Sequence, residues 1–541
     1  EREFVLIVRP GLDYDRYLVL GECMSILNRH WLLWLFPLWL LSGCASLAPP
    51  VERVDEYTPG VTGETDLDRQ ITKVLEPFPG QAVAHVLYDG LDAFAARLAV
   101  ADRASRSLDA QYYLFHGDVT GMLFADRLLS VAERGVPVRL LVDDMDMQGR
   151  DPALLSLDAH PNIDIRVFNP FANRGFRFFE YLYRYGDVTR RMHNKAMIVD
   201  GVVAITGGRN IGDEYFKAGH HTDFRDMDVM IFGPVVREIS REFDDYWNSA
   251  IAYPVTVIMT PEPDAIAPEE RWFDLHSFAK AQLGGPYLNR LAETAFFRHL
   301  QDGTLPLSMG PAQVFFDEPH KIRLPLDDDS THMGPDLWPL FQASTSELLI
   351  FNPYFIPGKA GVELLANLVR QGSRVIVLTN SLASNDVVPV HGHYAKYRKP
   401  LLRAGIELFE LKVEDSDTGL SAGSGVGSSP KVSLHLKTFV FNREKTFIGS
   451  LNLDPRSILQ NTEMGVVIEN PDLATKIADA ALDQLPRIAY QVRLDETDRL
   501  YWQGYDRQTG QWVRYDAEPD ASLVKRLFAV ISRILPIEKE L

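Results

Sequence analysis

Short β-branched and aromatic runs alternate with segments of helical period along most of this chain, and the alternation occurs twice. In the first pass, Leu108–Phe115 (LDAQYYLF) predicts a strand. Met122–Arg134 predicts a helix, with Leu123, Phe124, Leu128, Leu129 and Ala132 on one apolar face. Gly135 ends that helix, and Pro137–Asp143 begins the next strand. In the second pass Glu347–Phe351 is a strand, Val362–Arg370 a helix stopped by Gly372, and Arg374–Leu378 the following strand. Each pass later reaches a further strand ending near a proline, Asp226–Pro234 and Glu463–Pro471. Strands joined through helices favour parallel or mixed sheets with helices on their faces. The fold class expected is therefore α/β, built as two similar halves related by a pseudo-two-fold axis.

Between these elements each half carries one short stretch with the same spacing of polar residues. MHNKAMIVDGVVAITGGRN places His193, Lys195, Asp200, Gly207, Gly208 and Asn210 in a strand–turn–strand pattern. LHLKTFVFNREKTFIGSLN repeats it with His435, Lys437, Gly449, Ser450 and Asn452. One position departs, because Asn442 stands where the first copy has Asp200. A single H-x-K triplet carries little weight. A duplicated one with matching downstream Gly and Asn points to a site assembled from both copies.

The residue types suit transfer at phosphorus. Two lysines neutralise charge on phosphoryl oxygens, and Asn side chains donate further hydrogen bonds to them. Two histidines divide the remaining work: one attacks, the other protonates the departing alkoxide and deprotonates the incoming alcohol. No cluster of carboxylates with metal-ligand spacing accompanies them, so neither metal nor cofactor is expected.

Length and charge narrow the setting. A chain of 541 residues accommodates two or more domain-sized units, and its hydrophobic and charged fractions, 46% and 24%, are ordinary for a globular protein. The net charge of -19 disfavours extended binding to a nucleic-acid backbone. Both cysteines, Cys23 and Cys44, precede the folded body. Met24 reads as the start of a signal, with Asn28-Arg29-His30 and an apolar run from Trp31 to Leu41 too short to span a bilayer. It ends in Leu41-Ser42-Gly43-Cys44, which resembles a bacterial lipobox and makes Cys44 the expected lipidation site. The expected organisation is an over-extended start and signal (1–43), a tether (44–80), a first half (81–255), a connector (256–340), a second half (341–490) and a tail (491–541).

The duplicated pattern H-x-K-x4-D-x6-G-G/S-x-N resembles the signature of the phospholipase D superfamily. IGDEYF, TNSLASNDV, IGSLNLDPRS and NTEMG extend the likeness to its cardiolipin synthase branch in Gram-negative bacteria, from about Leu91 to the carboxyl end. The resemblance implies a mixed β-sheet flanked by helices in each half, with the active site at their interface. It implies a phosphohistidine intermediate, no metal, and transfer of a phosphatidyl group from phosphatidylethanolamine to phosphatidylglycerol. The catalytic set it implies is His193 as nucleophile, His435 as general acid/base, Lys195, Lys437 and Asp200, with Asp226 and Glu463 each orienting the histidine of its own half. Asn210, Asn452, Gly208 and Ser450 are the expected phosphate-binding residues. Hydrolysis by water and, more remotely, nuclease action use the same intermediate and remain alternatives. Membrane phospholipids, but no nucleic acid, are the expected partners, with an accessory protein a further candidate. The chain is expected to act as a monomer, lipid-anchored and facing the periplasm.

Three peripheral features carry open readings. Arg174, Arg177, Arg184, Arg190 and Arg191 lie among Phe176, Phe178, Phe179, Tyr181 and Tyr183, either as a headgroup-binding patch or as a packed helix with solvated arginines. His391 and His393 read as non-metal, with a substrate-side role open; His220-His221 reads as a loop pair. Leu523–Leu535 has a helical apolar side with Lys525, Arg526 and Arg533 towards the other, suited to a membrane interface or to docking on the protein's own core.

Overall fold

A computed structural model describes residues 47, 53–219, 222–261, 265–413, 431–506 and 509–541. The expected signal, Cys23, Cys44 and His220-His221 lie outside these residues.

Two large mixed sheets carry the duplication. The first runs Ser308–Gly310, Ala82–Leu87, Asp228–Phe232, Val203–Gly207, Ala196–Val199, Leu108–Tyr112, Val138–Asp143, Ile163–Phe168, Ala252–Pro254. The second runs Ala312–Phe316, Met464–Glu469, Lys445–Gly449, Thr438–Phe441, Glu347–Phe351, Arg374–Asn380, Glu407–Leu411, Ala489–Leu494, Leu500–Asp506, Gln511–Tyr515. From Ala82–Leu87 onward in one and Ala312–Phe316 onward in the other, strand order and direction match. Leu108–Tyr112 pairs parallel with Val138–Asp143 and antiparallel with Ala196–Val199, as Glu347–Phe351 does with Arg374–Asn380 and Thr438–Phe441. The parallel pairs are joined through Val119–Glu133 and Gly358–Arg370, the helices the sequence predicts. The first begins three residues before Met122 because Asp118 caps it, its side chain accepting from Gly121 N.

The sheets share a core. Ile198, Val229 and Ile231 of one face Val440, Ile448 and Val466 of the other in a single buried cluster, which helices Val235–Asn248 and Pro471–Ile488 complete. Phe243, Tyr246 and Trp247 are fully buried there, each burial worth about 1.5–3 kcal/mol.

Two expected boundaries change. Residues 53–75, read as tether, pack on the first half: Arg53 donates to Ala252 O and Ser249 O, Thr58 N to Asp244, and Asp66–Leu75 is a helix. Polar composition hid this, because the segment docks through hydrogen bonds more than through apolar side chains. The connector and tail are also integral to the sheets, since Ser308–Gly310 and Ala312–Phe316 edge one sheet each and Leu500–Asp506 and Gln511–Tyr515 extend the second.

Candidate active site

The two H-x-K stretches meet where the halves exchange backbone. Thr462 N donates to Arg191 O and His193 N to Thr462 O, so the approach to His193 is held by the residue preceding Glu463. Reciprocally, Lys431–Leu434 pairs in parallel with Thr222–Arg225, and His435 N donates to Arg225 O, the residue preceding Asp226. Each histidine is thus placed against the carboxylate of the opposite half. His193 Nδ1–H donates to Glu463 Oε2 at 2.8 Å, and His435 Nδ1–H donates to Asp226 Oδ2 at 2.6 Å. This corrects the expected pairing within each half: orientation is crosswise. A carboxylate on Nδ1 fixes the tautomer that leaves the Nε2 lone pair free for the reacting atom.

The lysines sit beside them. Lys195 Nζ donates to His193 O and Lys437 Nζ to His435 O, and both ammonium groups are buried. Burial, with Lys437 as a second cause, lowers Lys195 to about 7, and burial lowers Lys437 to about 8. Both imidazoles are pushed well below their ordinary value, first by burial and then by the two ammonium groups. Glu463 is raised by burial to about 7, and Asp226 is raised by the same cause. The site thus holds neutral imidazoles in a water-poor setting where a bound anionic phosphodiester stabilises both ammonium groups.

Asp200 and Asn442 stand apart from this chemistry. Asp200 has φ 55° in the hairpin between Ala196–Val199 and Val203–Gly207, and its carboxylate accepts from Ser105 N, Arg106 N and Ser107 N. Asn442 has φ 55° in the equivalent hairpin; its Oδ1 accepts from Ser346 N and its Nδ2 donates to Ala343 O, at 2.9 and 3.0 Å. Asp and Asn tolerate the left-handed backbone such turns require. The catalytic role expected for Asp200 is corrected to a turn brace, and the substitution at Asn442 leaves the histidines untouched.

The Gly/Ser and Asn positions also sort differently from expectation. The Ser450 hydroxyl donates to Glu463 Oε2 at 2.5 Å, and a Cβ at Gly208 would meet Asp226 Oδ1 at 2.2 Å. Both serve the carboxylates, Ser450 by a hydrogen bond and Gly208 by leaving room, in place of the phosphate contact expected of them. Asn210 is engaged at both ends, accepting from Leu114 N and donating to the Tyr215 hydroxyl. Asn452 Oδ1 is buried with no hydrogen-bond partner among the described residues.

Several supporting residues escaped sequence reading. Tyr113 packs edge-on against His193, and Tyr215 and Phe224 pack against His435. Asp143 accepts from Met192 N and pairs with Arg191, while Asp317 accepts from Glu463 N. Asp143 ends a predicted strand, the one signal that pointed to it. His116, Asp118 and Glu214 also gather, with His116 raised to about 10 by Asp118 and then Glu214, making the imidazole the cation of the group.

The arginine-rich segment follows neither expected reading, because its arginines are engaged by the body while aromatics stay outside. Arg174 and Arg177 pair with Asp144, Arg184 with Glu180, Arg191 with Asp143, and Arg190 donates to Leu324 O. Its aromatics Phe176, Phe178 and Tyr183 stay exposed. His391 and His393 are buried: His391 Nε2 accepts from Arg398, and His393 bonds Ser532 O and Glu538. They anchor the carboxyl-terminal segment, not a substrate.

A family model described as "Cardiolipin synthase, PLD-like domain" matches residues 98–247 and 337–483, the two halves bearing the histidines. The chain is 40% identical over 461 residues to Cardiolipin synthase C of Escherichia coli K12, covering 85% of this chain and 96% of that protein. It is 32% identical over 514 residues to an uncharacterized protein of Helicobacter pylori J99, covering 93% and 98%. The solved phosphatidylserine synthase of Haemophilus influenzae superposes with a TM-score of 0.54 at 13% identity, over 87% of this chain and 100% of that one, which is a likeness of fold. The twin histidine–carboxylate pairs, the duplicated sheets and these matches agree: the chain belongs to the cardiolipin synthase family of phospholipase D-like enzymes.

Proposed function

We infer that this chain is a phosphatidyltransferase that makes cardiolipin. The observation that carries the reading is the crosswise pair of histidine–carboxylate couples with two buried lysines between the halves, in a chain 40% identical to a cardiolipin synthase. His193 Nε2 attacks the phosphorus of a donor phospholipid, expected to be phosphatidylethanolamine. The bond to the headgroup oxygen breaks, and His435, which takes a proton on Nε2 when the anionic phosphodiester enters the site, gives that proton to the leaving alcohol. The phosphatidyl group then rests on His193. His435 accepts the proton of a phosphatidylglycerol hydroxyl, whose oxygen attacks phosphorus, forms cardiolipin and frees His193. Lys195 and Lys437 neutralise the phosphoryl oxygens, and the Asn452 amide N–H is expected to donate to one of them. A largely apolar cleft of about 900 Å³ borders Asp226 and Leu434 and supplies room for an acyl chain.

The enzyme acts as a single chain, since both histidines come from it, and it works at a membrane. No helix among the described residues is long and apolar enough to cross one. Lipidation at Cys44 supplies the attachment and places the body in the periplasm.

Lipid mass spectrometry tests the reading in a strain lacking other cardiolipin synthases, with and without a candidate accessory protein. Cardiolipin is expected from the parent chain and none from His193→Ala. Phosphatidic acid accumulating in place of cardiolipin would assign hydrolysis instead. Trapping labelled phosphoenzyme and mapping the modified peptide decides the order of roles, with the label expected on His193.

A further inference from the structure

The carboxyl-terminal helix Leu523–Ile534 docks on the body by its small residues and turns its large ones outward. Ala529 and Ser532 are buried against the Val388–Tyr394 helix, close enough that a Cβ on Gly392 would meet Ala529 O at 2.6 Å. On the open side Leu523, Val524, Leu527, Val530 and Ile534 are each more than 60% exposed, and Phe528 is half exposed. An apolar face of this size, contributed by so short a helix, is far from the scattered single apolar residues of an ordinary surface.

A second apolar cluster is exposed elsewhere on the surface. Phe176, Phe178 and Leu182 are 65–69% exposed on the segment leading to His193. The Tyr185 hydroxyl donates to Glu540 Oε2, joining that segment to the residues that follow the helix. That hydrogen bond ties together two apolar segments distant in sequence, and each leads into the site. Lys525 Nζ donates to Ala383 O and Asn385 O, next to Asp386, whose charge acts on Lys437. At the other end Arg456 N donates to Leu541 O, and Arg456 guanidinium to Thr189 O, between the approach to His193 and the turn before Glu463.

We propose that the Leu523–Ile534 helix and the Phe176–Tyr185 segment form one docking face for an anionic lipid bilayer, seating the active site on the membrane surface. The charge supports this occupant. The helix carries no acid, in a chain whose net charge is -19; Lys525 and Arg526 are held by carbonyls of the body, and Arg533 stands exposed. Branched aliphatic and Phe side chains enter the acyl boundary while Arg533 meets lipid phosphates. The exposed Lys539 adds to that rim. The inference rests on the phosphatidyltransferase reading, which makes membrane lipid the substrate, and it names the surface through which that lipid is reached.

The full chain is reconstituted with vesicles of phosphatidylethanolamine and phosphatidylglycerol, as parent and as the Leu527→Glu/Ile531→Glu and Phe178→Glu variants. Turnover of vesicle lipid is expected to fall at least tenfold in the variants, while turnover of a short-chain phospholipid below its micelle concentration stays within twofold. Unchanged vesicle turnover would overturn the docking face. An equal loss on both substrates would also overturn it, marking the helix as structural. A soluble dimer that the same substitutions abolish, with vesicle turnover intact, would assign the face to a second copy. A separate readout covers failure of the enzymatic reading: brominated lipid is expected to quench a tryptophan introduced as Leu527→Trp on the His193→Ala background. Absent quenching overturns the proposal even where the parent chain is active, and quenching alongside a parent chain that makes no cardiolipin upholds docking while rejecting the activity.

Discussion

Asn442 is the residue at which this chain departs from its own first copy, and its contacts decide what the departure means. Its Oδ1 accepts from Ser346 N and its Nδ2 donates to Ala343 O, a contact that a carboxylate could not make. Asn442→Asp is expected to leave kcat within about twofold and to lower stability by roughly 1 kcal/mol, the usual worth of one hydrogen bond. Steady-state kinetics and a denaturant melt check both numbers; a gain of several orders of magnitude in kcat would place the turn in the chemistry after all. The orienting carboxylates behave oppositely. Glu463→Gln and Asp226→Asn keep the shape and one acceptor oxygen but lose the charge that fixes and stabilises the ring, and each is expected to lower kcat by about 10²–10⁴, as in comparable hydrolase triads. Because the pairing is crosswise, Glu463→Gln should move the titration of His193 and leave that of His435 largely in place, which histidine NMR reads directly. The lysines set the pH dependence. Placing Lys195 at about 7 means that burial disfavours its ammonium by an amount on the order of 5 kcal/mol, which an anionic phosphodiester offsets. Substrate binding therefore favours the protonated lysines: affinity is fully present below about pH 7 and is lost as Lys195 and Lys437 deprotonate above it. KM for phospholipid is expected to rise between pH 7 and 9, and a flat KM across that range would contradict the role given to the lysines.

Among elements, the Val388–Tyr394 helix shows how a polar motif without catalytic duty earns its residues. His393 Nε2–H donates to Ser532 O of the carboxyl-terminal helix, and Glu538 is bonded by Lys396 and Tyr397 beyond it. Gly392 permits the close approach, so Gly392→Ala forces the two helices apart against backbone. A loss of about 1–3 kcal/mol is expected, the range for overpacking a tight contact. Hydrogen exchange should show that loss as faster exchange in Leu523–Ile534, with the sheet amides unchanged. The hairpin turns belong to the same scale. Asp200 and Asn442 sit at positive φ because the strands they join carry right-handed twist, which this turn geometry matches.

For the whole molecule, the two sheets are one folding unit because their inner faces share a core and their approach strands are exchanged. A mixture of His193→Ala and His435→Ala chains is expected to show no recovered cardiolipin synthesis, since each site draws both histidines from one chain. Complementation between the two would reveal an exchanged dimer. The same exchange explains what sequence reading missed: it paired Asp226 with His193 by position, whereas backbone contact from Thr462 and Arg225 decides the partner.

The sequence alone determined the duplication, the order of strands and helices near each motif, and the identity of the histidines, lysines and carboxylates. These are local quantities, written as a period of two or three to four residues and as fixed spacings along the chain. Tertiary structure decided which carboxylate meets which histidine, that Ser450 and Gly208 serve those carboxylates, and that residues 53–75 pack on the body. It also decided that the last helix buries its small face and exposes its large one. Each of these depends on contacts between residues far apart in the chain, where hydrophobic period names a face but not the surface that covers it.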